Sequence, residues 1–296
     1  MKRPILIAGG TGNLGELIIK ALMKRGAAVR AVTRQETNPE KTAKLKQLGT
    51  EVIPVDMSNA AELKNACQGV SCVVSALSGL RDVIVDAQTQ LLDAAVAAGV
   101  SRFIPSDFAA DFTRLPEGDN RNFDLRKEFH GILDKLPIAP TSIMNGAFSY
   151  ILSYNSPLYD FKNHTVAYWG NDPDWKLDFS TMENTASYTA AAAFDSETPR
   201  VLRIASFQVS PRDLAAIGEK VKGQKFRVVP MGSLEDFAAA NKKERAAHPE
   251  GEREVFPEWQ AKQYLHSMFS VHNETLENDR YPDVEWANAL DVISKI

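Results

Sequence analysis

Ile5-Leu6-Ile7-Ala8-Gly9-Gly10-Thr11-Gly12-Asn13-Leu14-Gly15 is the stretch that decides how this chain folds. Four consecutive apolar residues suit a strand buried on both faces, and they run directly into glycines at 9, 12 and 15. From Asn13 onward Leu14, Leu17, Ile18, Ala21 and Leu22 fall on one helical face. In a strand, turn and helix of this order Gly9 takes the tight turn, Gly12 lets backbone approach a pyrophosphate, and Gly15 lets the helix lie close to the sheet. The first N–H groups of the helix, carrying about half a positive charge, then face the phosphates. The spacing is Gly-x-x-Gly-x-x-Gly, not the commoner Gly-x-Gly-x-x-Gly, so the flanking strand and helix carry the reading. Gly9, Thr11, Gly12, Asn13, Leu14 and Gly15 are therefore expected to form a dinucleotide site; the alternative is a glycine turn that binds nothing.

The same alternation continues along the first half. Strands are expected at 27–33, 51–55, 70–75, 102–105 and 141–144. Helices are expected at 39–48, 59–66 (capped by Ser58), 81–98 and 123–134. Strands separated by helices imply a doubly wound parallel α/β sheet. After Gly146 the rhythm breaks into an aromatic, turn-rich stretch to Asp178. It is followed by helices at 183–194 and 211–221, strands at 200–204 and 226–229, and two or three further helices. The expected organisation is a nucleotide-binding domain over 1–150 and a smaller α/β substrate lobe over 151–296, with the chain free to cross back to the sheet. The charged, aromatic-free segment 241–253 reads as a mobile loop.

Composition narrows the class. The chain has 296 residues, 44% hydrophobic and 24% charged, ordinary values for a globular protein with a sizeable core. A net charge of −4 with no Lys/Arg cluster argues against a nucleic-acid surface. Cys67 and Cys72 are too few for a disulfide framework and read as buried thiols. No apolar run reaches the roughly 20 residues of a membrane helix, and no signal peptide precedes the first strand, so a cytoplasmic protein is expected. The five histidines show no metal-ligand spacing.

The end of the second strand selects the dinucleotide. NAD-binding units place an acidic residue there to hold the ribose hydroxyls; here the position is Arg34. A guanidinium suits a bidentate pair with a 2′-phosphate, with Thr33 and Lys44 beside it, so NADPH/NADP is the expected cofactor. The bland alternative is a solvated surface arginine. Further along, Asp56 stands where a side chain meets the adenine, and Ala76 and Leu77 follow the fourth strand beside the ribose and nicotinamide. Both lie at carboxyl ends of strands, where ligands of open α/β sheets bind.

No tyrosine is followed four residues later by lysine, so the Tyr-x-x-x-Lys pair of short-chain dehydrogenases is absent. The nearest match is Phe123-Asp124-Leu125-Arg126-Lys127. Taken together, the glycine turn, Arg34, Phe103-Ile104-Pro105-Ser106-Asp107-Phe108, Lys127, the stretch 141–148 and Asn278-Asp279-Arg280-Tyr281-Pro282-Asp283-Val284 resemble the NmrA-like, isoflavone-reductase-like group of atypical short-chain dehydrogenases. The resemblance spans nearly the whole chain. It implies a Rossmann domain, a smaller substrate domain and NADPH between them, acting on aromatic or phenylpropanoid-type substrates. It also places the group's proposed acid/base lysine on Lys127. Two departures stand out: Asp107 replaces the group's glutamate, shortening its reach, and Ala109 replaces its glycine.

Partly desolvated beside the nicotinamide ribose, Lys127 could exchange a proton with the substrate, or only anchor the ribose, or be a solvated helix lysine. Ser106 is either a hydrogen-bonding group at the nicotinamide or a helix cap, and His130 shares the Lys127 face or packs the helix. Asn145 ends the last strand beside the nicotinamide. Asp107, Phe108, Phe148, Tyr150 and Tyr154, with Trp169 beyond, are candidates for the substrate side. The reading is an NADPH-dependent reductase of a small, aromatic, carbonyl or conjugated substrate. The alternative is a non-catalytic NADP(H) sensor that binds a regulatory protein partner, and a homodimer stays open. A nucleotide-sugar epimerase is weaker, because that chemistry wants the missing tyrosine.

Overall fold

The computed structural model describes residues 3–296. The chain divides into two compact units. The first comprises the chain up to Asp107, Leu125–Ile143 and Thr185–Leu202; the second comprises Phe108–Asp124, Met144–Asn184 and Arg203–Ile296. Residues 185–202 thus return to the first unit, and residues 108–124 join the second.

The first unit is built on six parallel strands: β1 (Ile5–Ala8), β2 (Val29–Arg34), β3 (Glu51–Val55), β4 (Cys72–Ser75), β5 (Arg102–Ile104) and β6 (Ala139–Pro140). Their order is β3-β2-β1-β4-β5-β6, two right-handed halves diverging from β1 and β4. Helices α1 (Asn13–Lys24), α2 (Pro39–Gln47), α3 (Ala60–Cys67), α4 (Gln88–Ala97) and α5 (Arg121–Leu133) make the crossovers. Leu6 and Ala8 pack in one apolar layer with Leu63, Leu91 and Phe129. Ile7 and Ala31 lie toward Ile19 of α1 on the other face. Apolar layers on both sides explain why β1 has no polar alternation.

Three local expectations change. The cap of α3 is Asn59, whose Oδ1 accepts from the amides of Ala61 and Glu62; Ser58 instead donates to Asp56. The sheet's last strand is the two-residue β6, Ala139–Pro140, beyond which Thr141 N–H still donates to Phe103 O at 3.0 Å. The chain then leaves the sheet, and β7 (Ser142–Met144) pairs with β11 (Val201–Arg203). The helix expected over 81–98 opens with a π-helical turn, Asp82–Ala87, before α4. There the Gln88 amide N–H reaches back to Val83 O, and the Ile84 carbonyl it would otherwise hold is taken by the Gln88 side chain, Nε2 to O 2.9 Å.

In the second unit β8 (Ala147–Phe148), β10 (Leu177–Ser180) and β12 (Phe207–Val209) form one small sheet. A parallel pair, β9 (Thr165–Tyr168) with β13 (Arg227–Pro230), forms another. Tyr159, Trp169, Phe179, Leu214 and Phe269 fill their shared core. Helix α6 (Met182–Phe194) precedes β11. Helix α7 (Pro211–Lys222) starts at a reciprocal cap between Ser210 and Asp213. The segment 241–253 is not a loop. It completes α8 (Leu234–Ala247) and a 3₁₀ turn, Pro249–Arg253. Its charges are partnered: Arg245 with Glu252 at 2.5 Å, and Glu244 with Lys262 of α9 (Glu258–Ser270) at 2.8 Å. The buried Arg121 guanidinium lies 4.6 Å from the Trp259 ring and donates to the carbonyls of Gly251, Glu254 and Val255. A short α10 (Ala289–Ile293) ends the chain. Among the described residues no helix is long and apolar enough to cross a membrane.

Candidate cofactor site

Steric demand defines the turn after β1. Gly9 has φ +81°, and a methyl there would sit 2.4 Å from the Ala76 carbonyl oxygen. A methyl at Gly15 would sit 2.2 Å from the Gly9 carbonyl oxygen. Both positions are closed to side chains by backbone. Gly12 differs: it is exposed, its φ of −86° is ordinary, and only the Gly9 oxygen at 3.3 Å approaches the place of a methyl. The fold therefore constrains position 12 far less than 9 and 15: a methyl there needs the Gly9 carbonyl to give by only a few tenths of an ångström. Gly12 is also the N-cap of α1, and no side chain caps that helix end. Its first N–H groups are left for a ligand or solvent. Thr11 and Leu14 are half-buried and Asn13 is exposed around the same turn.

At the end of β2, Arg34 projects into solvent with 74% of its side chain exposed, meeting only the Glu36 carboxylate at 3.4 Å. Thr33 is buried beneath it. Lys44 reaches Glu16 on α1 at 2.7 Å, and Lys20 meets the same carboxylate at 2.6 Å. The two ammonium groups hold Glu16 below its ordinary range and offset its charge next to the helix N-terminus. Asp56 is already engaged: Ser58 donates to it through both Oγ and N–H, at 2.7 and 2.8 Å, which lowers its carboxyl.

Beyond β4, Ala76 N–H donates to Ala8 O at 2.8 Å, which extends the β1–β4 pairing past the sheet. Ser106 is neither a free hydroxyl nor a helix cap. Its Oγ donates to Leu77 O at 2.6 Å, its N–H donates to Gln88 Oε1 at 2.9 Å, and its carbonyl accepts from Arg126 Nε at 3.1 Å. One residue on, Asp107 is fully buried. Its Oδ2 accepts from His130 Nε2 at 2.6 Å and Ser142 Oγ at 2.5 Å; Ser142 in turn accepts from Arg200 Nη1 at 2.5 Å. Burial alone would push the Asp107 carboxyl up, but the His130 imidazole and the Ser142 hydroxyl outweigh it and hold it below its ordinary value. This corrects the substrate-side expectation for Asp107, whose carboxylate faces the interior. Lys127 is half-buried on α5, between Arg126 and the buried His130.

Within the second unit Asn145 is buried and followed by Gly146, where a methyl would fall 2.3 Å from the Asp178 carbonyl oxygen. Phe108 and Trp169 are largely buried, Trp169 stacked on Phe237 at 4.6 Å. Phe148, Tyr150 and Tyr154 form a continuous ring series, 6.0 and 5.6 Å between centroids. Tyr150 and Tyr154 are 43% and 67% exposed, an aromatic surface the fold does not bury. Gln88, Ser142 and Arg200 are the residues that sequence reasoning missed. Only Gln88 carried a signal, as a polar residue in line with Ile84, Leu91, Leu92 and Ala95 on an otherwise apolar helix face. Among the described residues no group of His, Cys, Asp or Glu is arranged to hold a metal ion.

Comparison with known proteins fits this geometry. The NmrA-like family matches residues 1–294. Pinoresinol reductase 2 of Arabidopsis thaliana is 31% identical over 213 residues, covering 67% of this chain and 66% of that one. A bifunctional pinoresinol-lariciresinol reductase of Linum album is 25% identical over 317 residues, covering 98% and 93%. Among solved structures, AtPrR2 with NADP+ and (+)pinoresinol superposes with a TM-score of 0.82 at 25% identity, over 100% of this chain and 99% of that one. An NADPH-dependent quinone oxidoreductase of Escherichia coli, complexed with NADPH, shares the fold at 23% identity and a TM-score of 0.75, over 98% of this chain and 99% of that one. The chain belongs to the NmrA-like family.

Proposed function

We propose that this chain is an NADPH-dependent reductase of a small aromatic substrate bearing a carbonyl or conjugated double bond. The observation that carries the reading is the turn after β1. Backbone closes Gly9 and Gly15 to side chains, while Gly12 is only lightly constrained by the fold, with one close backbone oxygen at 3.3 Å, and stands at an uncapped helix N-terminus. A pyrophosphate is the group that such a cradle accepts. When bound, the nicotinamide supplies the hydride.

The remaining roles follow from placement. Arg34, exposed and held only by one surface carboxylate, is available to a 2′-phosphate, with Lys44 on the neighbouring helix. Asp56 adjoins the adenine, while Ala76, Leu77, Ser106 and Asn145 flank the ribose and nicotinamide. Lys127 anchors the nicotinamide ribose or supplies the proton that accompanies hydride transfer. Phe148, Tyr150 and Tyr154 offer their rings to the substrate. The pinoresinol and pinoresinol-lariciresinol reductases among the relatives support an aromatic substrate.

The test is a side-by-side titration with NADPH, NADP⁺, NADH and NAD⁺, followed by NADPH oxidation assays with 1,4-benzoquinone and cinnamaldehyde. Binding of the phosphorylated forms over the others, with turnover of either probe that falls in Lys127→Met, is expected. Binding of none of the four would overturn the site. Tight NADP(H) binding with no substrate-dependent oxidation across an aromatic panel would favour the sensor instead.

A further inference from the structure

Ser106 and Asp107 are held by side chains and backbone from several elements of the first unit. Gln88 Oε1 accepts from the Ser106 N–H, the Leu77 carbonyl accepts from its hydroxyl, and Arg126 donates to its carbonyl. His130 and Ser142 hold Asp107, and Arg200 continues the chain of donors to Asp134 at 2.8 Å. Two of these tethers, Arg126 and His130, belong to α5 and flank Lys127 at positions −1 and +3. Residues three apart share a helix face, so His130 holds against Asp107 the same side of α5 that carries Lys127. The bond is not interchangeable. A carboxylate can only accept, so the donor must be an imidazole N–H, and the contact is excluded from water.

We propose that His130 is a positioning residue for the nicotinamide half of the cofactor: through its bond to buried Asp107 it fixes where α5 presents Lys127 beside the Ser106 turn. The inference rests on the proposed NADPH site and adds to it a residue that touches neither cofactor nor substrate. The π-helical turn serves the same dipeptide from the other side. By displacing one backbone bond it frees the Ile84 carbonyl for Gln88 Nε2, which leaves Gln88 Oε1 aimed at the Ser106 amide.

Two ligands separate positioning from general stability: NADPH, which spans the whole site, and adenosine 2′,5′-bisphosphate, which lacks the nicotinamide half. In His130→Leu the affinity for NADPH is expected to fall about tenfold, the worth of one charged hydrogen bond, while that for the bisphosphate stays within twofold. His130→Gln, whose amide can still donate to Asp107, is expected to restore most of the loss. In a Lys127→Met background His130→Leu should have no further effect, because the two act in series. If His130→Leu does not fold, the pair Asp107→Asn/His130→Leu removes the buried charge with its partner and serves in its place. Equal weakening of both ligands, unchanged NADPH affinity, or full additivity with Lys127→Met would each overturn the inference. A wild-type protein that binds the bisphosphate and NADPH equally would overturn it too. If the wild type binds neither, the proposed cofactor site itself falls and the inference with it.

Discussion

Gly12→Ala separates what the fold needs from what a ligand needs. The backbone at Gly12 has φ −86° and ψ 165°, which alanine adopts without strain, and the added methyl meets only the Gly9 oxygen at 3.3 Å. The structural cost is the weaker alanine cap together with a shift of a few tenths of an ångström in the Gly9 carbonyl, about 1 kcal/mol in all. For a chain of this size that is a fall of about 2–4 °C in Tm. The methyl nevertheless stands in front of the first N–H groups of α1, where a pyrophosphate has to approach. NADPH affinity is therefore expected to fall by about a hundredfold or more, some 2.7 kcal/mol. Gly15→Ala gives the opposite pattern. Its methyl would lie 2.2, 2.8 and 2.9 Å from backbone atoms of Gly9 and Gly10, so the turn must move. The loss is about 3 kcal/mol of stability, with binding lost as a consequence. The assay pairs thermal melts by circular dichroism with nicotinamide fluorescence titrations. A Gly12→Ala protein that binds NADPH within twofold of wild type would falsify the assignment of that glycine to the cofactor.

Other expectations follow from single residues. Arg34→Asp should leave Tm unchanged, because the residue is 74% exposed and holds one surface ion pair, while reversing the preference from NADPH to NADH; retained preference for NADPH would refute its role. Burial pushes the Cys67 and Cys72 thiols up to about 11 and about 12, so neither should release thionitrobenzoate from Ellman's reagent at pH 8 until the protein is unfolded. Asp107 has a depressed carboxyl in the folded state. The stability it contributes is present above the unfolded value of about 3.9 and is lost as pH falls through the folded one. Urea midpoints of Asp107→Asn should be lower at pH 7 and fall less steeply below about pH 4; an acid limb as steep as wild type would show that the carboxyl is not ionised in the fold.

The strands and helices of the first unit were legible because each carries its own signal. Apolar runs such as Ile5–Ala8 need cover on two faces, and glycines such as Gly49, with φ +87°, end helices in a left-handed conformation that strongly favours glycine. The misreadings share a different cause. The segment 241–253 reads as a mobile loop because it is charged and has no aromatic residue of its own; the residues that order it from outside, Trp259 and Lys262 of the next helix and the distant Arg121, lie beyond its bounds. The apolar stretch ending at Met144 looked like the sheet's last strand, but its partner is β11, more than fifty residues later.

The site divides along the same line. The glycine turn and Arg34 could be read because they act through backbone shape and a strand end, both local properties. The environment of Asp107 could not, since Ser142, His130 and Arg200 are joined only by tertiary structure. Once they are joined, the departure noted at that position gains a physical account. An aspartate in place of the family's glutamate has lost one methylene of reach, and here the donors come to it: an imidazole from α5 and a hydroxyl from β7, both on the same carboxylate oxygen. Fully enclosed, the Asp107 carboxylate ties the Ser106 turn to α5, the helix that carries Lys127, from inside the first unit.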